Sequence, residues 1–274
     1  MTSKTSFINT YAPLSTEVNT VCQPIKKFGV NFFSYSRIDK KNNDLLYLCT
    51  DQQYLASKIE QDLFDGYSFV KDCMDLGYKK YLLFGDPPQA SKLQQYLFSK
   101  GIWNSADFYF DNSSYIEIFH FGGSREDPGL LNFYANNDPL FSRFALYFKE
   151  SFSKIIHDSH NLLSISPNTH NTFNESDALL SFNSKMIEEF WAETNYSKVS
   201  VTIRGKDISL SKREWECIKY ILHGLRAKDI AFKLNISYRT VEEYINHAKQ
   251  KIGYLHMSDL SNLFKYTIPY NDYR

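Results

Sequence analysis

Apolar residues recur at helical spacing within a polar stretch near the C-terminus, residues 236–253. This spacing predicts an amphipathic helix with Ser237 as its N-cap, because a serine oxygen can accept one of the free amide protons of the first turn. The apolar stripe consists of Val241, Tyr244, Ile245, Ala248 and Ile252. Long polar side chains on the opposite face could reach base edges and phosphates from a DNA groove. They are Arg239, Thr240, Glu242, Glu243, Asn246, Lys249 and Lys251.

Two further helices are predicted before this one. Ser211 and Glu214 have the spacing of a capping box, apolar residues follow on one face, and Gly224 is placed to end the helix. A short second helix over residues 227–234 ends just before the capped helix. A short helix, a tight turn and a capped basic helix are together typical of a helix-turn-helix. A fourth helix is predicted after Ser258, with Leu260, Leu263 and Phe264 on its apolar side.

The C-terminal segment resembles the LuxR-type (GerE-like) four-helix DNA-binding domain of bacterial response regulators and quorum-sensing regulators. The matching residues follow the family's order and spacing without a gap. They are Leu210, Ser211, Arg213, Glu214, Glu216, Gly224, Lys228, Ile230, Ala231, Leu234, Ile236, Ser237, Thr240, Val241, Lys251 and Gly253. The resemblance implies an all-α domain over residues 206–274 that binds double-stranded DNA. The plain alternative is a helical bundle whose charges are only solvated.

The same resemblance implies roles for individual side chains. Glu242, Glu243 and Asn246 would face the bases, and Val241 would be available to a thymine methyl group. Phosphate contacts would come from Lys228, Ser237, Thr240, Lys249 and Lys251, and Tyr238 and Arg239 complete the expected DNA-contacting set.

The sequence departs from the commonest family pattern at two positions. That pattern often has lysine where Glu242 stands and histidine where Tyr244 stands. Glu242 can accept from the cytosine amino group and Asn246 can bridge adenine, so the departure alters the expected base preference. It also leaves open a domain that has lost DNA binding.

The N-terminal part alternates between short aromatic-rich strands and amphipathic helices. Strands are predicted over residues 30–38, 45–49, 81–84, 106–110 and 115–121. Helices are predicted over residues 15–27, 51–76 in two pieces, 90–100, 128–136 and 139–157, with residues 1–10 loose. This order predicts an α+β protein, in which an α/β/α sandwich of helices around an antiparallel sheet of about five strands precedes the all-α domain.

In element order and aromatic content, residues 1–160 resemble the PAS/GAF-like sensor domain that precedes the LuxR-type domain in autoinducer-binding regulators. The pocket pattern of that family is not matched: Asp86-Pro87 is present, but no tryptophan precedes Trp103, so an acyl-homoserine lactone is not expected. We expect the aromatic residues to form core or, alternatively, to line an apolar ligand cavity on one sheet face. The candidate lining is Phe33, Tyr35, Tyr47, Trp103, Tyr109 and Phe119.

Between the two parts, residues 161–205 are predicted to hold a linker, a helix and a hairpin. Residues 164–176 are rich in Ser, Asn and Thr, as linkers are. The helix is expected over residues 179–194, and the hairpin strands over residues 199–203 and 207–210.

Charge and composition narrow the classes of function. The net charge is zero, but residues 200–274 hold 13 Lys and Arg against 8 Asp and Glu, as phosphate binding requires. The cysteines, Cys22, Cys49, Cys73 and Cys217, have no metal-site spacing, and His157 and His160 have no clear companion ligand. Motifs for catalysis or cofactor binding, a signal peptide and a membrane span are not found, which predicts a cytoplasmic protein that is not an enzyme and has no cofactor.

The sequence therefore predicts a bacterial transcriptional regulator that binds a near-palindromic site as a homodimer and senses a small molecule or a partner through its N-terminal domain. Dimer contacts are expected from that domain, from the helix of His157, and from Leu263 and Phe264. The competing hypothesis is an interaction protein that heterodimerises with a related regulator and blocks it without binding DNA. The acidic pair Glu242 and Glu243 is its best support.

Overall fold

A computed structural model of the chain describes residues 3–63, 80–84, 92–111, 114–157, 162–165, 184–203 and 206–253. The fold class is α+β, as predicted: an antiparallel sheet with flanking helices lies in the N-terminal part, and helices dominate the C-terminal part. The predicted fourth helix after Ser258, the second helical piece of residues 51–76 and the Asp86-Pro87 pair lie outside the described residues.

Within the described residues the sheet has six strands, where the sequence predicted about five. They are β1 (Val30–Asp39), β2 (Asp44–Cys49), β3 (Lys80–Phe84), β4 (Trp103–Asp111), β5 (Tyr115–Gly123) and β6 (Leu163–Ser164). Their spatial order is β3-β4-β5-β1-β2-β6, with every neighbouring pair antiparallel. The added edge strand β6 pairs Leu163 with Leu45, and the Ser164 hydroxyl donates to Asp44 Oδ1 at 2.7 Å. Ser164, expected to begin the linker, therefore belongs to the sheet.

The helices before the sheet and along its two faces are short. They are α1 (Lys4–Tyr11), a 3-10 turn (Ala12–Leu14), α2 (Ser15–Val21), α3 (Gln23–Lys26), α4 (Gln52–Glu60), α5 (Lys92–Ser99), α6 (Gly129–Asn136), α7 (Asp138–Ser151) and α8 (Ser153–His157). The C-terminal elements are α9 (Ser184–Glu193), the hairpin β7 (Lys198–Ile203) and β8 (Lys206–Ser211), then α10 (Lys212–Leu222), α11 (Ala227–Leu234) and α12 (Tyr238–Ile252). No helix in the described ranges is long and apolar enough to cross a membrane.

Three predicted segments differ from the structure. Residues 1–10 were expected to be loose, but Ser3 caps α1 and the helix buries Phe7 and Tyr11, an apolar pair four residues apart that the polar neighbours obscure in the sequence. The helix predicted over residues 15–27 breaks at Cys22, just before Pro24. The helix predicted over residues 139–157 breaks at Phe152, whose backbone leaves the helical region.

One face of the sheet, the aromatic face, carries Phe33, Tyr35, Phe108, Phe119 and Phe121. Directly opposed residues of antiparallel strands share a face, and the register pairs Phe33 with Phe121 and Phe119 with both Tyr35 and Phe108. Helix α7 covers this face: ring centroids of Phe33 and Phe148 are 4.8 Å apart, and those of Phe121 and Phe141 are 4.9 Å apart. The aromatic face is thus a filled core.

A buried charge pair lies at the edge of the aromatic face. The Glu117 side chain is 7% exposed and accepts hydrogen bonds from the Tyr35 hydroxyl and from Lys149 Nζ of α7, both at 2.6 Å. Burial, and then the neighbouring Glu117 carboxylate, raise the pKa of Tyr35 well above its ordinary value, so the phenol stays a donor. The pair fixes α7 against the sheet.

The opposite face, the polar face, carries Ser34, Ser36, Tyr47, Asp107, Tyr109, Ile118 and His120. The register pairs Ser34 with His120, Asp107 with His120, and Ile118 with Ser36 and Tyr109, which places all of them on one side. Helices α4 and α5 cover it through Tyr54, Lys58, Leu93 and Leu97. The two faces of one sheet therefore differ in chemistry.

Candidate nucleic-acid interface and ligand cavity

The helix-turn-helix is built by local hydrogen bonds that the sequence predicted. Ser211 and Glu214 form the capping box of α10: Ser211 Oγ accepts from the Glu214 amide at 3.3 Å, and the Glu214 carboxylate accepts from the Ser211 amide at 2.7 Å. Gly224 follows α10 at φ +77°, a conformation open to glycine. Ser237 Oγ accepts from the Thr240 amide at 3.0 Å and starts α12.

The apolar stripe of α12 holds the helix on its neighbours. Val241 and Ile245 lie in a small core with Ile230 of α11, and Ala248 and Ile252 lie in a second core with Trp215 of α10 and other residues. Val241 is fully buried, so its expected contact with a thymine methyl group is wrong. The helical period assigns that position to the core side of α12.

The outward side of α12 presents polar groups to solvent. Glu242, Glu243 and Asn246 are exposed, and the Arg239 side chain is 88% exposed. His247 and Gln250 are exposed as well and were missed by the sequence prediction. The sequence did contain a signal for Gln250, because this residue lies one helical turn beyond Asn246 and therefore on the same side of the helix. The exposed surface therefore extends further along α12 than predicted.

The two acidic residues of this surface are each matched by a donor one turn earlier. Arg239 Nε lies 3.5 Å from Glu243 Oε1. The hydrogen bond between Tyr238 and Glu242, reinforced by the carboxylate's charge, raises the pKa of Tyr238. These contacts reduce the repulsion that the glutamates would exert on phosphates.

The expected phosphate contacts divide into exposed and engaged groups. Lys228 is exposed and Lys249 is half-buried, while Ser237 and Thr240 share a hydrogen bond of 2.8 Å at the start of α12. Lys251 Nζ instead lies 2.6 Å from the Glu214 carboxylate, whose side chain is only 6% exposed. Burial alone would raise the pKa of Glu214. The hydrogen bonds from Lys251 and the Ser211 amide lower it by more, so the pKa of Glu214 lies below its usual value. Lys251 is thus an anchor between α12 and α10.

The structure separates the six aromatic residues expected to line one cavity. Phe33, Tyr35 and Phe119 lie in the filled core of the aromatic face. Tyr47 and Tyr109 line a cavity of about 60 Å³ on the polar face. Trp103 lies at the start of β4, where it stacks on Phe98 with centroids 3.8 Å apart. The expectation of a shared face was wrong because the register between strands decides which positions coincide.

The floor of this cavity is a hydrogen-bonded pair that the sequence prediction missed. His120 Nδ1 lies 2.5 Å from Asp107 Oδ1, and the Tyr109 hydroxyl donates to Asp107 Oδ2 at 3.0 Å. A carboxylate only accepts, so Nδ1 donates to Asp107. Nε2 is buried and has no hydrogen-bond partner among the described residues. Two polar residues opposed on neighbouring strands were the available signal.

Comparison with known proteins bears on the C-terminal part. Residues 208–263 match the family described as GerE, bacterial regulatory proteins, luxR family. These residues form a LuxR-family DNA-binding domain. Among curated proteins, none matches the chain significantly.

Two similar solved structures are both of SdiA. The crystal structure of Escherichia coli SdiA in space group P6522 has 13% sequence identity to this chain and a TM-score of 0.33. The alignment covers 97% of this chain and 92% of the SdiA chain. SdiA in complex with octanoyl-rac-glycerol has 11% identity and a TM-score of 0.29, covering 92% of this chain and 88% of that chain.

Helix α7 attaches the hairpin that leads into the LuxR-family domain. The Arg143 guanidinium donates to the carbonyls of Trp191 at 3.0 Å and Thr194 at 3.1 Å, at the end of α9. Glu150 accepts from the amides of Ser197 at 2.7 Å and Lys198 at 3.2 Å. Between them Leu146 joins the core that contains Trp215. One helix therefore contacts both the sheet and the LuxR-family domain.

Proposed function

We propose that the protein is a transcriptional regulator that binds a near-palindromic DNA site as a homodimer and responds to a small molecule or partner through its N-terminal part. The observation that carries the proposal is the division of α12: its apolar stripe is buried in two cores, and its long polar side chains are exposed. Two copies would place α12 in successive major grooves about one helical turn apart.

Base reading is assigned to the middle of the exposed side of α12. Asn246 can bond adenine through both of its polar atoms, and Glu242 and Glu243 can accept from cytosine amino groups. Gln250 adds a second amide one turn later. Thr240, Lys228 and Lys249 hold phosphates, which gives affinity without sequence preference.

The test is a fluorescence-anisotropy titration of the full chain against genomic fragments at two salt concentrations. Thr240→Ala and Lys249→Ala are expected to weaken binding to every site, and Glu242→Lys to change which site is preferred. Lys154→Ala, an exposed lysine on α8, is the matched control and leaves binding unchanged. Binding should strengthen at low salt because phosphate contacts release counterions. Absence of binding at low salt would refute the proposal, and sedimentation tests the homodimer.

Sensing is assigned to the polar face of the sheet, where the cavity of about 60 Å³ holds only a few water molecules and must widen to admit a larger ligand. Asp107, His120 and Tyr109 form a fixed polar floor, with Tyr47 alongside in the cavity wall. Mass spectrometry of molecules released from the purified protein tests the assignment. A released compound that raises the melting temperature of the wild type, but not of Asp107→Asn, supports it; an equal rise in both contradicts it.

A second candidate function is an inhibitor that dimerises with a related regulator and does not bind DNA. The exposed carboxylates of Glu242 and Glu243 favour it, since negative charge opposes phosphate contact. The same titration separates the two functions. An inhibitor would show no DNA binding at either salt concentration, and it would remove a related regulator from its own site.

A further inference from the structure

A second cavity lies between helices α7 and α8 and the hairpin that leads into the LuxR-family domain. Its volume is about 490 Å³, and it is lined from one side by α7 and α8 and from the other by β7 and β8. Lys149, Ser153 and His157 are among the lining residues of the helices, and Lys198, Ser200 and Ser209 among those of the hairpin. We call it the cleft. It shares no lining residue with the cavity on the polar face of the sheet.

The polarity of the hairpin wall follows from strand alternation. Val199 and Val201 point into the core with Trp215, so Lys198 and Ser200 point to the other side. Ser200 is paired directly with Ser209, which places both hydroxyls on the cleft side. The wall opposite supplies Ser153 and two basic residues. Two hydrogen-bonding surfaces therefore face each other across open space.

Several polar groups of the cleft are already engaged. The Glu150 carboxylate accepts from the backbone amides of the hairpin, and Lys149 is held by Glu117. His157 Nδ1 lies 3.1 Å from Asp207 Oδ2, and its Nε2 lies 3.4 Å from Ser200 Oγ. These contacts hold the two walls in place.

Three side chains are left as binding groups. Within the described part of the chain, Ser153, Lys198 and Ser209 make no side-chain hydrogen bond or ion pair. They offer the ammonium of Lys198 and hydroxyls on both walls, while the Glu150 carboxylate of the same lining already accepts three hydrogen bonds from Ser197 and Lys198. Lys149 contributes less positive charge, because its ammonium is already paired with the Glu117 carboxylate. Glu117 accepts from one of its three N–H donors.

We propose that the cleft binds a small anion that carries hydroxyl groups, such as a sugar phosphate or a sugar acid. The Lys198 ammonium contacts the anionic group, and Ser153 and Ser209 exchange hydrogen bonds with the hydroxyls from opposite walls. The volume falls in the range of about 300–1,000 Å³ that is usual for small-molecule sites, which favour junctions of this kind. The bound anion bridges α8 and the hairpin and so fixes the LuxR-family domain against the sheet.

The bound anion does not compete with DNA, since no residue of α12 lines the cleft. The bound anion acts on DNA binding by changing the orientation of α12. This consequence rests on the proposed regulator function. Binding to the cleft itself is independent of that function. It is therefore measured without DNA.

Isothermal calorimetry of the full chain with glucose 6-phosphate, gluconate and glucose tests the proposal. The two anions are expected to bind at least about tenfold more tightly than glucose, because charge-assisted hydrogen bonds are the stronger ones. The comparison of phosphate with carboxylate shows which anionic group the cleft prefers. Binding of none of the three, or equal binding of all three, overturns the proposal.

Matched variants locate the binding. Lys198→Glu is expected to weaken anion binding about tenfold or more, and Ser209→Ala to weaken it less. Lys154→Glu makes the same charge change on α8 outside the cleft and is expected to leave binding unchanged. Equal losses for Lys198→Glu and Lys154→Glu would show a general charge effect and overturn the site. The anion should also slow amide hydrogen exchange in β7; unchanged exchange there contradicts bridging.

Discussion

The two faces of the sheet come from the same strands and have opposite character. On the aromatic face, Phe33, Phe108 and Phe121 interlock with α7, with centroids of Phe108 and Phe141 4.9 Å apart. On the polar face, the alternate positions supply Asp107 and His120 and leave a cavity of about 60 Å³. The difference separates two tasks: one face supplies packing, and the other carries the hydrogen-bonding groups to which we assign the proposed sensing.

For the proposed sensing, the comparison also indicates the path that a signal would take. Helix α7 packs on the aromatic face and, through Arg143 and Glu150, holds the end of α9 and the hairpin. A ligand bound on the polar face, as proposed, would act on the opposite side of the sheet from α7. Any effect on the LuxR-family domain therefore passes through the strands, whose alternate residues belong to both faces.

The largest expected effect breaks the aromatic face. Phe121→Ala removes a buried ring that contacts Phe33, Phe108 and Phe141, and it should lower the free energy of unfolding by about 3–5 kcal/mol. Urea unfolding followed by circular dichroism measures the loss. Phe232→Ala makes the same deletion at a side chain that is 89% exposed and should change stability by less than about 0.5 kcal/mol. Similar losses for both variants would contradict a filled aromatic core.

The next largest effect concerns the buried pair between the sheet and α7. Glu117→Gln removes the charge that Lys149 faces at 2.6 Å and should cost about 1–3 kcal/mol. Urea unfolding of Glu117→Gln, Lys149→Met and the double variant gives the coupling between them. Additive losses would mean that the pair does not hold α7.

A smaller effect tests whether water reaches Cys49, which pairs with Ser34 and so lies on the polar face. Burial raises the pKa of the Cys49 thiol to about 12. A pKa raised in the folded state means that the unfolded chain loses its proton first, so stability falls as pH rises from the ordinary thiol value of 9.0 towards 12. Cys49→Ala should reduce the loss of stability between pH 8 and pH 10 by about 1 kcal/mol, measured by urea unfolding at both values. An identical loss in wild type and variant would contradict a buried neutral thiol.

The smallest expected effect on stability is on the floor of the polar cavity. Asp107→Asn keeps the shape of the side chain but removes the charge beside His120, so stability should change by about 1 kcal/mol or less. Thermal unfolding measures it, with Phe121→Ala as the comparison. A loss as large as that of Phe121→Ala would show that the polar face is structural and would remove the separation of tasks.

Elements defined by local signals were predictable from the sequence. Ser211 with Glu214 and Ser237 gave the starts of α10 and α12, because a cap needs only residues within one turn. The strands of the central sheet followed from short aromatic runs between turns. Edge strand β6 was missed, since its two residues show no alternation and depend on pairing with β2.

The candidate sites were predictable only in part. The exposed residues of α12 followed from the helical period, but Val241 and Lys251 were assigned to DNA although one is buried and the other is bound to Glu214. The cavity residues could not be grouped correctly, because Phe33 and Tyr47 lie on different strands and their common face depends on register. Irregularities between Val30 and Phe32 and between Trp103 and Ala106 shift that register further.

The ion pair between Glu214 and Lys251 has a consequence for handling the protein. Contacts of surface lysines with DNA phosphates weaken steeply as salt rises, whereas mobile ions reach this pair only from the side of Lys251, whose side chain is 42% exposed against 6% for Glu214. Salt that releases the protein from DNA should therefore leave α10 and α12 joined. For the DNA binding proposed above, dissociation and unfolding should then be separate events, and a domain eluted from DNA at high salt should return to it on dilution without refolding.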